Sequence, residues 1–205
     1  MSLKLYGLGP SRSFRCLWAL CETNLEFDYI EVVFGKDGEN STQSANYLSK
    51  NTQGKVPTLE HDSFILTESL AIVNYINSLA SENFIPNDSM ARAKYDEITN
   101  FIVTELEQTL WTNGKHRFAL PEEQRVKEIF PTAEFEFAKA VNTLDKLVNV
   151  DTFVLDDSFS FADVMLAQTI NWAERFKFDV PVQYLEYRDR MYQREGAIKA
   201  SGFVS

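Results

Sequence analysis

The sequence predicts an α/β domain over about residues 1–80 followed by an all-α domain over about residues 85–205. Three observations carry this. Strand and helix signals alternate through the first eighty residues, in the order β-α-β, a polar connection, then β-β-α. Strand signals stop after Asn83. Between the halves lies SENFIPNDS (81–89), whose Pro, Asn, Asp and Ser mark a linker.

Each element has its own reason. LKLY (3–6) reads as a short strand. Phe14, Leu17, Trp18 and Cys21 recur at i, i+3, i+4 and i+7, which is helix spacing; Cys16, Ala19 and Leu20 between them predict a helix buried on more than one side. FDYIEVVF (27–34) is aromatic and β-branched, as strands are. After a polar stretch around 36–44, VPTLE (56–60) and FILT (64–67) flank HDS and predict a hairpin. Leu70, Val73, Ile76 and Leu79 place a helix after it. In the second half, Ser89 is read as the cap of a long helix running toward Trp111. A helix steps through Phe130, Ala133, Phe137, Val141, Leu144 and Val148, with Pro131 at its beginning or at a kink. SFADVMLAQTINW (160–172) opens with Ser-x-x-Asp ahead of an apolar run, the capping-box pattern. A last helix, from Val182, is expected to stop at Gly196.

Composition excludes several functions. The 205 residues are 44% hydrophobic, enough for a substantial core, yet no apolar run approaches the ~20 residues of a membrane span. The opening MSLKLYGLG lacks the layout of a secretory signal, so a cytoplasmic protein with no membrane partner is expected. Thirty acids against twenty bases give a net charge of −10, and an acidic surface repels phosphate backbones, so no nucleic-acid partner is expected. Cys16 and Cys21, the only cysteines, are neither CxxC nor a metal clip and read as reduced and buried. His61 and His116 stand alone without ligand spacing, so no metal is expected.

Three short stretches carry chemistry. GPSRSFRCLWAL (9–20) places Ser11 and Ser13 at the threshold of a helix, where they either cap it or help hold an anion. GKVP (54–57) precedes a strand. Pro57 either starts that strand plainly or follows a cis bond that leaves the Val56 N–H and C=O free to pair with an extended peptide. TESLAI (67–72) sits where a strand meets a helix. Glu68 and Ser69 either favour the helix start or hold an α-amino-acid group, Ser69 with the backbone N–H groups on its carboxylate and Glu68 on its ammonium.

Taken in order and spacing, these stretches resemble the glutathione transferase family, and SRSFRCLWAL is similar to its bacterial and fungal yeast-type branch. The resemblance implies a thioredoxin-like N-terminal domain of order βαβ-α-ββα and an all-helical C-terminal domain that forms the electrophile pocket. It implies glutathione as co-substrate, a small hydrophobic electrophile as second substrate, and a homodimer with the helix near TESLAI and the helix from Ser89 as its contact surfaces. Glu68 and Ser69 are expected on the γ-glutamyl end, Val56 before Pro57 on the cysteinyl backbone, and Gln53 and Lys55 on the glycine carboxylate. The thiol would be activated by a hydroxyl: Ser11 first, Ser13 second, Tyr6 third. The implied function is a transferase enzyme, with a glutathione-dependent peroxidase or a non-catalytic relative of the same fold as alternatives. Zeta-class isomerases carry Ser-Ser-Cys where this chain has Pro10-Ser11-Arg12, which disfavours isomerisation. Relatives that reduce mixed disulfides use a cysteine at the helix start, whereas Cys16 is expected more than a turn inside. Trp111, Phe118 and Tyr95 are candidates for the electrophile pocket, with helix core as the alternative.

Overall fold

Four strands form one mixed sheet in the order β2-β1-β3-β4, where β1 is Leu3–Gly7, β2 Asp28–Glu31, β3 Thr58–His61 and β4 Phe64–Thr67. The computed structural model describes residues 2–35, 38–155 and 158–204. Lys36 and Asp37, at the start of the polar connection, lie outside the described residues. β1 runs parallel to β2 and antiparallel to β3, with Leu5 opposite Tyr29 on one side and Leu59 on the other. β3 and β4 form the hairpin. His61 joins the ladder opposite Phe64 rather than the turn, and Asp62 takes the left-handed conformation (φ 53°) that a two-residue turn requires.

The period of two along the strands sorts residues between the faces. Leu3, Leu5 and Leu59 are buried. On their side of the sheet, α1 (Ser13–Thr23) packs on β1, α3 (Ser69–Leu79) on β3, and the two helices on each other. Lys4, Tyr6 and Glu60 face the other way, where α2 (Ala45–Lys50) supplies Tyr47 and Lys50. α1 is as apolar as its sequence predicts: Cys16, Leu17, Trp18, Ala19 and Leu20 have no exposed surface. Each large side chain among them contributes about 1.5–3 kcal/mol of burial. The cysteines are free and buried, and burial pushes the Cys21 thiol up to about 11.

The helical half contains α4 (Ser89–Phe101), α5 (Glu107–Gly114), α6 (Phe130–Leu147), α7 (Phe161–Arg175) and α8 (Val182–Tyr192). α4 and α5 are parts of one long helix, interrupted at Ile102–Leu106 and extended at Lys115–Ala119 by π-helical turns. Its cap is Asp88, not Ser89. The Asp88 backbone is extended and its carboxylate accepts from the N–H groups of Met90 and Ala91, which leaves Ser89 as the first helical residue. Pro131 lies in the first turn of α6, where its missing N–H costs nothing. The capping box forms as expected, with Asp163 accepting from the Ser160 N–H, and Asp163 also accepts from Val154 N–H and the Tyr187 hydroxyl. Buried residues run unbroken from Phe161 to Ile170, so α7 is the central helix of this half. FKFDVP (176–181) is the loop before α8.

The chain divides into two compact units, residues 1–85 with 192–205, and residues 86–191. The expected helical span of 85–205 therefore differs in its last stretch. Gly196 does not stop a helix; it lies inside α9 (Glu195–Gly202), which packs on α1. A β-carbon on Gly196 would stand 2.5 Å from Cδ of Glu22, so glycine allows that close approach. The Glu22 carboxylate accepts two bonds from Arg194 (2.8 and 3.1 Å) and one from the Trp18 indole (2.9 Å). Tyr192 stacks on Phe14 and meets Trp18 edge-on. These contacts tie residues 192–202 to the first unit.

Candidate active site

The residues expected to bind or activate glutathione lie in the first unit, at the start of α1, in the loop before β3 and at the start of α3, with Tyr6 on β1; the electrophile-pocket candidates Tyr95, Trp111 and Phe118 lie in the second.

At the start of α1 the chain leaves β1 through Gly7, turns at Leu8–Ser11 (Ser11 N–H to Leu8 C=O, 3.1 Å) and enters the helix at Ser13. Arg12 occupies the N-cap position. The two serines differ sharply. Ser13 has no exposed surface, and its Oγ accepts from the Leu8 N–H at 3.3 Å. Ser11 is half-buried; its Oγ accepts from the Ser13 N–H at 3.2 Å, and its hydroxyl donates to Ser13 Oγ at 3.0 Å. Gly7 makes room for this pair: a β-carbon there would sit 2.9 Å from Cβ of Ser13 and 2.7 Å from the Tyr29 ring. Tyr6 is on the opposite face of the sheet from α1. Its hydroxyl donates to Glu60 Oε2 at 2.9 Å, and Lys50 Nζ lies 2.6 Å from the same oxygen. Burial, then the bond to Glu60, raises the Tyr6 hydroxyl above its ordinary range.

The Val56–Pro57 bond is cis. Among the described residues no hydrogen bond engages the Val56 N–H or C=O, so both groups remain available to a ligand backbone. The residues that hold this loop were not legible as functional in the sequence. The Lys55 carbonyl accepts from the Tyr47 hydroxyl (2.6 Å) and from Asn51 Nδ2 (2.8 Å); both donors also reach Thr58 Oγ1. Gly54 takes φ 60°, and a side chain there would collide with Gln43.

At the start of α3, Glu68 holds φ 68° and ψ 113°, a region costly for any residue with a side chain (about 1–3 kcal/mol), and its exposed carboxylate does not cap the helix. Gln53 Nε2 reaches Glu68 Oε1 at 3.4 Å, and Lys55 Nζ reaches Gln53 Oε1 at 3.2 Å. The structure thus joins three expected binding residues in one polar row. Ser69 is buried, with its Oγ 3.4 Å from Arg15 NH1 and its carbonyl 3.6 Å from Cys16 Sγ, so α1 anchors the first turn of α3.

The remaining candidates resolve simply. His61 Nδ1 pairs with the Tyr75 hydroxyl, and His116 Nδ1 accepts from the Val126 N–H. Among the described residues no group of three or more His, Cys, Asp or Glu is placed to hold a metal. Tyr95 is completely buried and belongs to the core of the helical unit. In that unit Trp111 is half-buried, and Phe118 is 53% exposed and edge-on to Phe176.

A mixed sheet with a cis-proline loop, backbone groups open before it and two helix starts beside it defines a thioredoxin-like fold. Residues 1–78 match the model of the glutathione S-transferase N-terminal domain and residues 109–195 that of its C-terminal domain. The chain belongs to the glutathione S-transferase family of enzymes. It is 30% identical to a glutathione S-transferase-like protein, FUS3, of Gibberella moniliformis, over 87% of this chain and 80% of that one. It is 29% identical to the maleylacetoacetate isomerase of Dictyostelium discoideum, over 83% and 78%. Among solved structures, the beta-etherase LigF of Sphingobium matches with TM-score 0.84 at 21% identity (99% and 100% covered). A glutathione transferase homologue from Sulfitobacter with bound glutathione matches with TM-score 0.83 at 20% identity (98% of each). These relatives are fungal, amoebal and bacterial, and they single out no branch of the family.

Proposed function

We propose that this protein is a glutathione transferase that ionises the glutathione thiol at the start of α1 and presents the thiolate to a small hydrophobic electrophile. The free thiol, with a pKa near 8.5, is only about 3% ionised at pH 7, so lowering that pKa by roughly two units, or about 2.7 kcal/mol, makes most of it nucleophilic. One hydrogen bond to the anion contributes about 1.5–3 kcal/mol and a helix N-terminus about 0.3–1 kcal/mol, which together match the requirement.

The observation that carries this reading is the contrast among the three candidate hydroxyls. Ser11 is accessible at the helix start, Ser13 is enclosed, and Tyr6 is engaged with Glu60 on the other face of the sheet. Ser11 is therefore the donor to sulfur. Val56 pairs with the cysteinyl backbone and cis-Pro57 holds that edge. Glu68 takes the γ-glutamyl ammonium, and Ser69 with the first N–H groups of α3 takes its carboxylate. Lys55 takes the glycine carboxylate, and Gln53 bridges Lys55 and Glu68.

Maleylacetoacetate isomerases stand among the relatives. The run Pro10-Ser11-Arg12 in place of Ser-Ser-Cys supports conjugation over isomerisation. A glutathione peroxidase would use the same thiolate and a non-catalytic relative would not ionise it. Retention on immobilised glutathione, then turnover of a chlorinated nitroaromatic and of an organic hydroperoxide, separates the three. Binding without either turnover would overturn the transferase reading.

We also propose a cytoplasmic homodimer, with contact surfaces on α3 and on α4, where Met90 is 83% exposed. Light scattering at micromolar concentration is expected to show twice the chain mass, and a 23.5 kDa species would contradict the dimer. Among the described residues no helix is long and apolar enough to cross a membrane.

A further inference from the structure

We infer that Ser13 is a positioning residue that acts on the sulfur through Ser11, as the middle link of a donor chain running from the Leu8 N–H. The inference rests on Ser11 being the donor to sulfur, and the geometry supplies the rest. Three bonds tie the two serines into the turn: Leu8 N–H to Ser13 Oγ (3.3 Å), Ser13 N–H to Ser11 Oγ (3.2 Å), and one hydroxyl–hydroxyl bond (3.0 Å).

That last bond holds one proton between two oxygens, and a hydroxyl is both donor and acceptor, so the pair has two arrangements. In one, Ser11 donates to Ser13, and the Ser11 proton is turned away from the helix mouth. In the other, Ser13 donates to Ser11, and the Ser11 proton is released for an anion. The second arrangement keeps all three bonds of the turn. Ser13 Oγ accepts from Leu8 and donates to Ser11. Ser11 Oγ accepts from both the N–H and the hydroxyl of Ser13, and its own proton turns toward sulfur. A thiolate in front of α1 therefore selects this arrangement by rotation of two hydroxyls, with no proton changing its oxygen.

The chain Leu8 N–H, Ser13 O–H, Ser11 O–H, S⁻ is aligned donor to acceptor, so each dipole strengthens the next. Burial adds to the effect. Ser13 has no exposed surface, so water does not compete for its hydroxyl, and the absence of a side chain at Gly7 lets it stand close to the end of β1. A serine that cannot touch the ligand thus sets the orientation of one that can.

The test is a double-mutant cycle read by the ultraviolet absorbance of bound glutathione thiolate against pH. Ser13→Ala is expected to raise the thiol pKa by about 0.3–0.7, a 2–5-fold loss in thiolate at pH 6.5, since cooperative strengthening is about 10–30% of a charge-assisted bond. In a Ser11→Ala background, Ser13→Ala is expected to add nothing. Ser13→Cys keeps the shape, weakens the donor and is expected to shift the titration the same way, which provides the measurement if the alanine variant does not fold. An unmoved titration in Ser13→Cys, or equal shifts of Ser13→Ala with and without Ser11, overturns the relay and leaves Ser11 as donor. An unmoved titration in Ser11→Ala overturns the Ser11 reading itself.

Discussion

Two helices begin beside the same proposed ligand, and they begin in opposite ways. The start of α1 is satisfied internally: Ser11, Ser13 and Leu8 bond to one another, and the turn is fully formed without a ligand. The start of α3 is not. Glu68 is held at positive φ, and its carboxylate is exposed with only a 3.4 Å bond from Gln53. The first is prepared in advance to stabilise a charge by fixed dipoles, which is what lowering a thiol pKa requires. The second keeps a costly backbone and an open carboxylate, which the proposed contact with a ligand ammonium would use. On the proposed reading, chemistry is served by the settled end and binding by the unsettled one.

The sharpest way to break this contrast is at Glu68. Glu68→Gln is expected to weaken glutathione binding about 10–150-fold, the equivalent of a hydrogen bond to a charged group (about 1.5–3 kcal/mol), with an unchanged melting temperature. Glu68→Gly, which relieves the positive φ, is expected to weaken binding as much while raising stability by about 1–3 kcal/mol. Calorimetric titration and thermal melts on the two variants check both. Equal affinity in wild type and Glu68→Gln would return Glu68 to a residue that merely suits the helix dipole.

At the other helix start, Ser11→Ala is expected to raise the bound thiol pKa by about 1–2 and to lower the conjugation rate at pH 6.5 about 10–100-fold. Tyr6→Phe is expected to change either by less than about twofold, because the Tyr6 hydroxyl is bonded to Glu60. A titration that moves only in Tyr6→Phe would reverse the assignment. Gly7→Ala tests whether the α1 turn is rigid in the way claimed. Its β-carbon would press on Tyr29 and Ser13, so a loss of about 1–3 kcal/mol in denaturant melts is expected, accompanied by a higher thiol pKa. A loss of stability with an unmoved thiol would show that the turn tolerates displacement.

The smallest effect lies on the far face of the sheet. The Lys50 ammonium bonded to Glu60, with Tyr6 as a further donor, holds the Glu60 carboxyl below its ordinary range. A depressed carboxylate adds stability above its unfolded pKa, near 4.3, and that stability is lost as pH falls through the lower folded value. Glu60→Gln is therefore expected to flatten the acid limb of the stability curve below about pH 4.3. At neutral pH it should cost less than about 1 kcal/mol, as partly solvated pairs do. An unchanged acid limb would show that the trio contributes nothing on folding.

Much of this was legible in the residues, for local reasons. The i, i+3, i+4, i+7 spacing of Phe14, Leu17, Trp18 and Cys21 gives α1, while GKVP leaves a plain strand start and a cis Pro57 both open, and the backbone decides for the second. Ser-x-x-Asp gives the capping box of α7. What escaped depends on distance or on a choice between neighbours. Tyr47 and Asn51 brace the Lys55 carbonyl from α2 and its end, and no local pattern announces a side chain that reaches another loop. Asp88 and Ser89 are both good caps, and only the backbone angles decide between them. Gly196 reads as a stop because glycine commonly ends helices, but its role follows from Glu22, far away in the chain. The π-helical turns at Ile102–Leu106 and Lys115–Ala119 shift a hydrogen bond by one residue and leave no mark on hydrophobic spacing.

The return of residues 192–202 to α1 has a consequence for the order in which the protein is made. Domains usually fold as they emerge from the ribosome, the first ahead of the second. Here the sheet and its helices emerge early, yet the partners of Phe14, Trp18 and Glu22 are Tyr192 and Arg194. They are synthesised after the whole helical unit, roughly a hundred residues later, a wait of about 5–20 s at typical elongation rates. During that interval the outer side of α1 is an uncovered aromatic surface on a nascent chain, so the thioredoxin-like unit is the first to begin folding and the last to be finished.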